Sequence, residues 1–138
     1  MSDRLNEILE AYRFWDDFVK RKKREIKRLR EQETSTAVRY SEAPGGSGGH
    51  SLADYAEKLD ELEGDLRELR HKREEAYDDI FRLLVRMKSS AQIDVIYRRY
   101  ILLQSWPQIC AGRDISKRTA MDCHDRALII LDQILDLT

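Results

Sequence analysis

The chain has 138 residues, of which 41% are hydrophobic and 37% charged, and its formal net charge is −1. With only two cysteines, Cys110 and Cys123, it lacks the cysteines of a disulfide scaffold, and no apolar run approaches the ~18 residues that span a bilayer. The N-terminus has no apolar core typical of a signal peptide. We therefore expect a cytoplasmic protein without membrane segments. High charge and only two prolines, Pro44 and Pro107, favour long exposed helices, so we predict an all-α fold.

The first predicted element is a helix over about residues 3–33. Apolar side chains recur in it at spacings of three and four, interrupted only by Lys22: Leu5, Ile8, Tyr12, Trp15, Val19, Ile26 and Leu29. This repeat lines one side of an α-helix and is typical of coiled-coil packing. Phe14 and Phe18 lie beside the seam and widen its apolar face. We expect that wider face to pack against the C-terminal helices or against another chain.

Basic residues crowd the second half of this helix. Residues 20–30 hold eight basic side chains and one acid, Glu25. Six of the basic residues form a candidate belt for phosphate contacts: Lys20, Arg21, Lys23, Arg24, Lys27 and Arg28. The alternative is a solvated face that pairs with the following helix, because residues 51–87 hold eleven acids against seven bases.

A second helix is predicted over about residues 51–87, with a longer apolar seam that only Arg73 interrupts. The seam consists of Leu52, Tyr55, Leu59, Leu62, Leu66, Leu69, Ala76, Ile80, Leu83 and Met87. Between the two helices, residues 34–50 include Pro44 and four glycines within five positions, which cannot hold a helix. We expect a flexible glycine-rich loop there.

Two long helices joined in this way predict an antiparallel, coiled-coil-like helical hairpin as the first domain, residues 1–87. If the hairpin folds near position 41, Ile26 lies beside Leu59 and Tyr12 beside Arg73. Parallel pairing of each helix with a second copy, which would make a homodimer, is the competing arrangement. The sequence does not decide between these two arrangements.

The last domain, residues 88–138, is predicted to hold three short helices. Ser89 and Ser90 mark a break and a new N-cap, Ser105 can cap a helix that begins at Trp106 and ends near Gly112, and Ser116 can cap the last helix. The inward face of that last helix is Ala120, Cys123, Ala127, Leu128, Leu131, Ile134 and Leu135. Three helices with a short turn between the last two form a tri-helical helix-turn-helix.

Residues in this domain fall at characteristic spacings. Arg99-Tyr100 ends the first helix, Trp106 and Ile109 lie in the second, Ser116 follows Ile109 by seven residues, and the run His124-x-Arg126-Ala127-Leu128 begins eight residues after the serine. With these spacings, residues 96–131 resemble region 4 of sigma factors. The chain is also similar to short phage and prophage proteins that place this motif behind a helical hairpin, and to late-gene transcription activators of phages of Gram-positive bacteria. It departs from the pattern at Cys110, usually alanine, and at Arg113-Asp114, usually Leu-Gly.

The resemblance implies a phage-type transcription regulator in a bacterial host, with double-stranded DNA and RNA polymerase as partners. The residues that it assigns to DNA contact are Ser116, Lys117, Arg118, Met121, Asp122, His124 and Arg126. In a major groove, Lys117 and Arg118 reach guanine edges or phosphates, and Asp122 accepts from cytosine N4. His124 is assigned either to packing or to a phosphate. Asp114, Asp122 and Asp125 repel phosphates, so this face is only weakly basic.

Other classes of function find little support in the sequence. The run from Asp122 to Asp125 contains metal-ligand residue types, but consecutive helical residues point about 100° apart and cannot close a tetrahedral shell. No nucleophile–base pair, phosphate loop or paired-carboxylate motif stands out, so we expect neither an enzyme nor a metal or cofactor. The alternatives to a regulator are a helical interaction or scaffolding protein without autonomous DNA binding, and a small-terminase-like packaging protein.

Overall fold

The computed structural model describes residues 1–42 and 52–137, and every regular element within them is an α-helix. The helices are α1 (Asp3–Glu42), α2 (Leu52–Leu84), α3 (Ser90–Tyr100), α4 (Trp106–Arg113) and α5 (Lys117–Asp136). The predicted all-α class is confirmed. None of the helices formed by these residues is both long enough and apolar enough to cross a membrane.

The first helix is longer than the sequence pattern indicates. The predicted loop from position 34 was wrong for residues 34–42, because α1 continues to Glu42. These residues contain neither proline nor glycine, so no helix breaker occurs before Pro44. The remainder of the predicted glycine-rich loop, residues 43–50, lies outside the described residues. α2 ends at Leu84, three residues before the predicted end, where the chain turns toward the N-cap Ser89 of α3.

The chain divides into two compact units: unit 1 comprises Met1–Trp15 with Lys72–Thr138, and unit 2 comprises Asp16–His71. This division does not fall at the predicted boundary between 87 and 88. The reason is that Leu5 and Leu9 of α1 and Ile80 of α2 are buried in the same apolar cluster as Ile96 of α3 and Leu131 of α5. The start of α1 and the end of α2 therefore belong with the three short helices.

Within unit 1, the start of α1 packs against the end of α2. The rings of Tyr12 and Tyr77 meet edge to face with their centroids 6.4 Å apart, and the Lys72 ammonium lies 6.0 Å from the ring centroid of Trp15. Tyr12 thus lies beside Tyr77, one helical turn beyond Arg73, its predicted neighbour. The predicted pairing assumed a turn near position 41, whereas α1 continues to Glu42.

Within unit 2, α1 and α2 share a narrow apolar seam. Its buried members are Val19, Ile26, Leu62 and Leu66, and Leu29, Leu59 and Leu69 pack partly buried around them. Lys22, the one charge in the α1 seam, reaches the seam's edge, where its ammonium lies 2.9 Å from Glu25 and 3.6 Å from Asp65. The hydrogen bond to Glu25 raises the pKa of Lys22 against the opposing effect of desolvation. Ion pairs with Glu25 and Asp65 therefore allow the charged Lys22 to occupy a position in the apolar seam.

Phe14 lies outside the core that the C-terminal helices share with α1 and α2, and the alternative, that the wider apolar face packs against another chain, stays a prediction. The Phe14 side chain is 53% exposed, and its ring meets Trp15 edge to face at a centroid distance of 4.9 Å. The α1 residues that do enter the core of unit 1 are Leu5 and Leu9. With 100° per residue, Phe14 projects from the opposite side of α1, which leaves it outside that core.

Candidate nucleic-acid interface

The three short helices α3, α4 and α5 contact one another and share a small core of their own. Val95, Ile109 and Ala120 contribute one residue from each helix, and all three are 0% exposed. Trp106 packs against this cluster while partly buried. The small Ala120 lets α5 approach α4 closely, so the start of α5 is fixed from behind.

The beginning of α4 is held by a capping box. The Ser105 hydroxyl accepts a hydrogen bond from the Gln108 amide at 3.3 Å, and the Gln108 side-chain oxygen accepts from the Ser105 amide at 2.8 Å. Pro107 sits in the first turn, where no amide hydrogen bond is lost. The predicted N-cap at Ser105 is confirmed, and α4 therefore starts at a defined position.

The turn between α4 and α5 depends on a left-handed residue. Asp114 has φ 55° and ψ 51°, and its amide donates to the Cys110 carbonyl. This conformation usually requires glycine, but Asp is one of the few other residues that adopt it. Ser116 then caps α5, since its hydroxyl accepts from the Thr119 amide at 3.1 Å. Asp114 thus forms the turn at a position where the sigma-like pattern has glycine.

The first turns of α5 present most of the candidate DNA-contacting residues at the surface. Ser116, Lys117, Arg118, Asp122 and Arg126 are exposed, and Met121 is half-buried. Asp114 and Asp125 are exposed on the same part of the chain. The three bases on this face are therefore balanced by three acids, which leaves it nearly neutral.

His124, the remaining candidate, is an interior residue. It is 9% exposed, its Nε2 lies 2.7 Å from the Tyr100 hydroxyl, and its ring meets Trp106 edge to face at 5.1 Å. Burial lowers the pKa of His124 because it disfavours the imidazolium, although Asp125 acts in the opposite direction. These contacts favour the packing alternative over contact with DNA, because His124 joins α5 to α3 and α4.

A charged cluster that was not predicted from the sequence joins α3 to the end of α4. One carboxylate oxygen of Asp94 accepts from Arg98 Nε at 2.7 Å and from Arg113 Nη1 at 2.8 Å. Partial burial acts to raise the pKa of Asp94, but the hydrogen bonds from Arg113 and Arg98 outweigh it and leave the pKa below its usual value. Gly112 makes room for the cluster, since a Cβ there would lie 3.1 Å from Arg98 Cζ. The i,i+4 spacing of Asp94 and Arg98 was the only signal in the sequence.

The basic belt of α1 belongs to unit 2, and all six of its residues are exposed. Lys23 and Lys27 line a groove together with residues of α2, whereas Arg21, Arg24 and Arg28 line a separate shallow surface. The belt is therefore not one surface. Two residues next to the belt form ion pairs between α1 and α2: Lys22 pairs with Asp65, and Arg30 pairs with Glu63.

Comparison of the chain with protein family models, with curated proteins and with solved structures gives no match. Within residues 1–42 and 52–137, no three His, Cys, Asp or Glu side chains are grouped so that they could hold a metal ion. The exposed start of α5 and the charges around it are the features from which a function can be inferred.

Proposed function

We propose that the protein is a phage-type transcription regulator, in which α4 and α5 act as a helix-turn-helix and the first turn of α5 enters the major groove of DNA. The observation that carries this proposal is the Ser116-capped first turn of α5, which exposes Lys117 and Arg118 while Ile109 and Ala120 are completely buried behind it. A helix held rigidly from behind, with its opening residues at the surface, is how helix-turn-helix proteins reach base edges.

The chemistry of that turn suits contact with DNA. Lys117 and Arg118 can donate to guanine O6 and N7 or to phosphates, and Asp122 can accept from cytosine N4. Free amides at the start of α5 add a partial positive charge that favours a phosphate. Because exposed acids balance the bases on this face, sequence-independent attraction is weak. RNA polymerase is therefore the second partner of the proposal, since it would supply the affinity that this face lacks.

The test is selection of a binding site from a randomised duplex library, followed by titration of the selected site. We expect one sequence to be enriched, and its binding to weaken as salt rises because each phosphate contact releases a counterion. The double variant Lys117→Ala/Arg118→Ala should lose the preference for that sequence. The control variant Arg86→Ala/Lys88→Ala removes the same charge from exposed positions outside α3–α5 and should keep it.

Two outcomes argue against this role for α5. The first is a library from which the wild-type chain enriches no sequence. The second is a Lys117→Ala/Arg118→Ala variant that binds the selected site as tightly as the wild type does.

A second candidate function, a helical interaction protein, is favoured by exposed apolar side chains at the end of α2. Phe81 is 47% and Val85 61% exposed, and the Phe81 ring stacks on Tyr77 with the centroids 5.8 Å apart. Apolar residues exposed together are typical of protein contact surfaces. Light scattering would then give the mass of a dimer for the wild type and of a monomer for Phe81→Ser/Val85→Ser. A monomeric wild type would remove the support for self-association.

A further inference from the structure

On one side of unit 2, α1 and α2 enclose a groove of about 960 Å³. Five basic side chains line it, three from α1 and two from α2: Lys23, Lys27, Arg30, Arg67 and Arg70. The acids in its lining are Glu31 and Glu63. The groove therefore carries a local charge of about +3 in a chain whose formal net charge is −1. A concentration of one sign in a concave surface attracts anions more strongly than the same charges spread out.

Most of this charge is not neutralised within unit 2. Arg30 donates to Glu63 at 2.9 Å, which offsets one base with one acid. Lys23, Lys27, Arg67 and Arg70 are exposed and have no ion-pair partner in the part of the chain that the structure describes. Lys23 and Lys27 are four residues apart and Arg67 and Arg70 three, spacings at which like charges destabilise a helix slightly. An anion bound between the rows would relieve this repulsion.

The lining also indicates which kind of anion fits. Ile26 and Leu66 beneath the charges are only 5% and 8% exposed, so they offer little surface to the apolar side chains of an amphipathic peptide. Among the residues that the structure describes, no aromatic ring lines the groove, which argues against the base stacking that single-stranded nucleic acids need. Ammonium and guanidinium groups line the groove from both helices, and both groups form strong charge-assisted hydrogen bonds with phosphate oxygens.

We propose that this groove binds the sugar-phosphate backbone of duplex DNA without regard to sequence. The site lies in unit 2 and is independent of the role proposed for α5 in unit 1. Arg67 and Arg70 are essential to it, because they supply the second row of positive charge. It would provide the sequence-independent affinity that the nearly neutral face of α5 lacks.

The test uses the full chain and a labelled duplex of random sequence, with binding measured by fluorescence anisotropy over a range of salt concentrations. The groove variant is Lys23→Gln/Lys27→Gln/Arg67→Gln/Arg70→Gln. The matched control, Lys20→Gln/Arg21→Gln/Arg24→Gln/Arg28→Gln, removes the same charge from exposed residues that do not line the groove. Circular dichroism verifies that both variants keep the helix content of the wild type.

Each lost phosphate contact lowers the slope of log affinity against log salt by about 0.9. The groove variant should therefore lose about 2–4 from the magnitude of this slope and at least tenfold in affinity at low salt. The control variant should change the slope by less than about one. Lys117→Ala/Arg118→Ala should still bind the random duplex, so failure of this proposal and failure of the α5 proposal give different results.

The inference is overturned if the groove and control variants lose affinity equally, because the effect would then follow total charge. It is also overturned if the wild type fails to bind the random duplex at about 50 mM salt. Binding of polyglutamate as tight as that of the duplex would assign the groove to acidic proteins. Loss of random-duplex binding in Lys117→Ala/Arg118→Ala alone would move the contact to α5.

Discussion

Truncation of Ile109 tests whether the small core of α3, α4 and α5 holds the proposed reading helix in place. Ile109 is 0% exposed and packs with Val95 and Ala120. Replacement by alanine removes three buried carbon atoms and leaves a cavity, which costs about 2–5 kcal/mol. The higher helix propensity of alanine offsets less than about 1 kcal/mol of this loss of stability. Because α4 has only 8 residues, its own hydrogen bonds cannot keep it folded once the core is lost.

Ile129 provides a matched control, since it is an isoleucine of α5 that is 60% exposed. The same truncation there removes the same atoms from a mostly solvated position, so we expect a change within about 1 kcal/mol. The assay is urea unfolding of Ile109→Ala and Ile129→Ala, followed by the fluorescence of Trp106 in a Trp15→Phe background. The expected gap between the two variants is about 2–4 kcal/mol in the free energy of unfolding.

Equal costs for the two variants would refute the reasoning, because they would mean that the contacts of Ile109 do not hold α4. A loss of stability confined to Ile109→Ala should also reduce binding to a selected DNA site. Binding should recover at a lower temperature, where the folded form is populated again. The Ile129→Ala variant should bind normally at both temperatures.

Three further changes test single interactions in unit 1. Burial lowers the pKa of His124 in the folded state, so the unfolded state takes up the imidazole proton first as the pH falls. The free energy of unfolding should therefore decrease below about pH 6.5, by at most about 1.4 kcal/mol per pH unit. The decrease should stop once the folded imidazole is also protonated. His124→Gln should flatten that decrease, and His71→Gln on the exposed face of α2 should not. Asp94→Asn should lower the free energy of unfolding at pH 7 by about 1–2 kcal/mol. Because the pKa of Asp94 is lowered in the folded state, the difference in stability between the wild type and this variant should vanish as the pH falls below about 4. Ser116→Ala should cost about 1 kcal/mol in urea unfolding through loss of the cap.

The sequence predicted the helices well because apolar spacing and N-capping act between residues that are close together in the chain. Apolar spacing located α1 and α2, and the serines before α3, α4 and α5 cap them as predicted. The end of α1 was placed too early because the polar residues after position 33 resembled a loop, although the sequence has no proline or glycine between positions 34 and 42. Periodicity also cannot say which neighbour covers an apolar face, so the grouping of Leu5 and Leu9 with α3 and α5 was not foreseen.

The candidate interface was predictable where exposure follows from helical spacing. Lys117 and Arg118 precede the buried Ala120 within one turn and are exposed, as expected. The burial of His124 could have been predicted: it follows Ala120 by four residues and precedes Ala127 by three, so it lies on the same inward side of α5. Its partner Tyr100 is 24 residues away, a pairing that only the tertiary fold creates.

The basic run of α1 shows why charge counted along a sequence does not define a binding surface. Successive residues of a helix point about 100° apart, so the run is distributed around α1, with Lys23 and Lys27 on one face and Arg24 and Arg28 on another. The groove gains its second row from Arg67 and Arg70, about 40 positions later, in a segment whose overall charge is acidic. A segment that is acidic on average can therefore supply part of a cationic site, because only one face of each helix lines the groove. If duplex DNA binds there, the variants that decide it combine residues from both helices, and changes confined to the α1 run would underestimate the site.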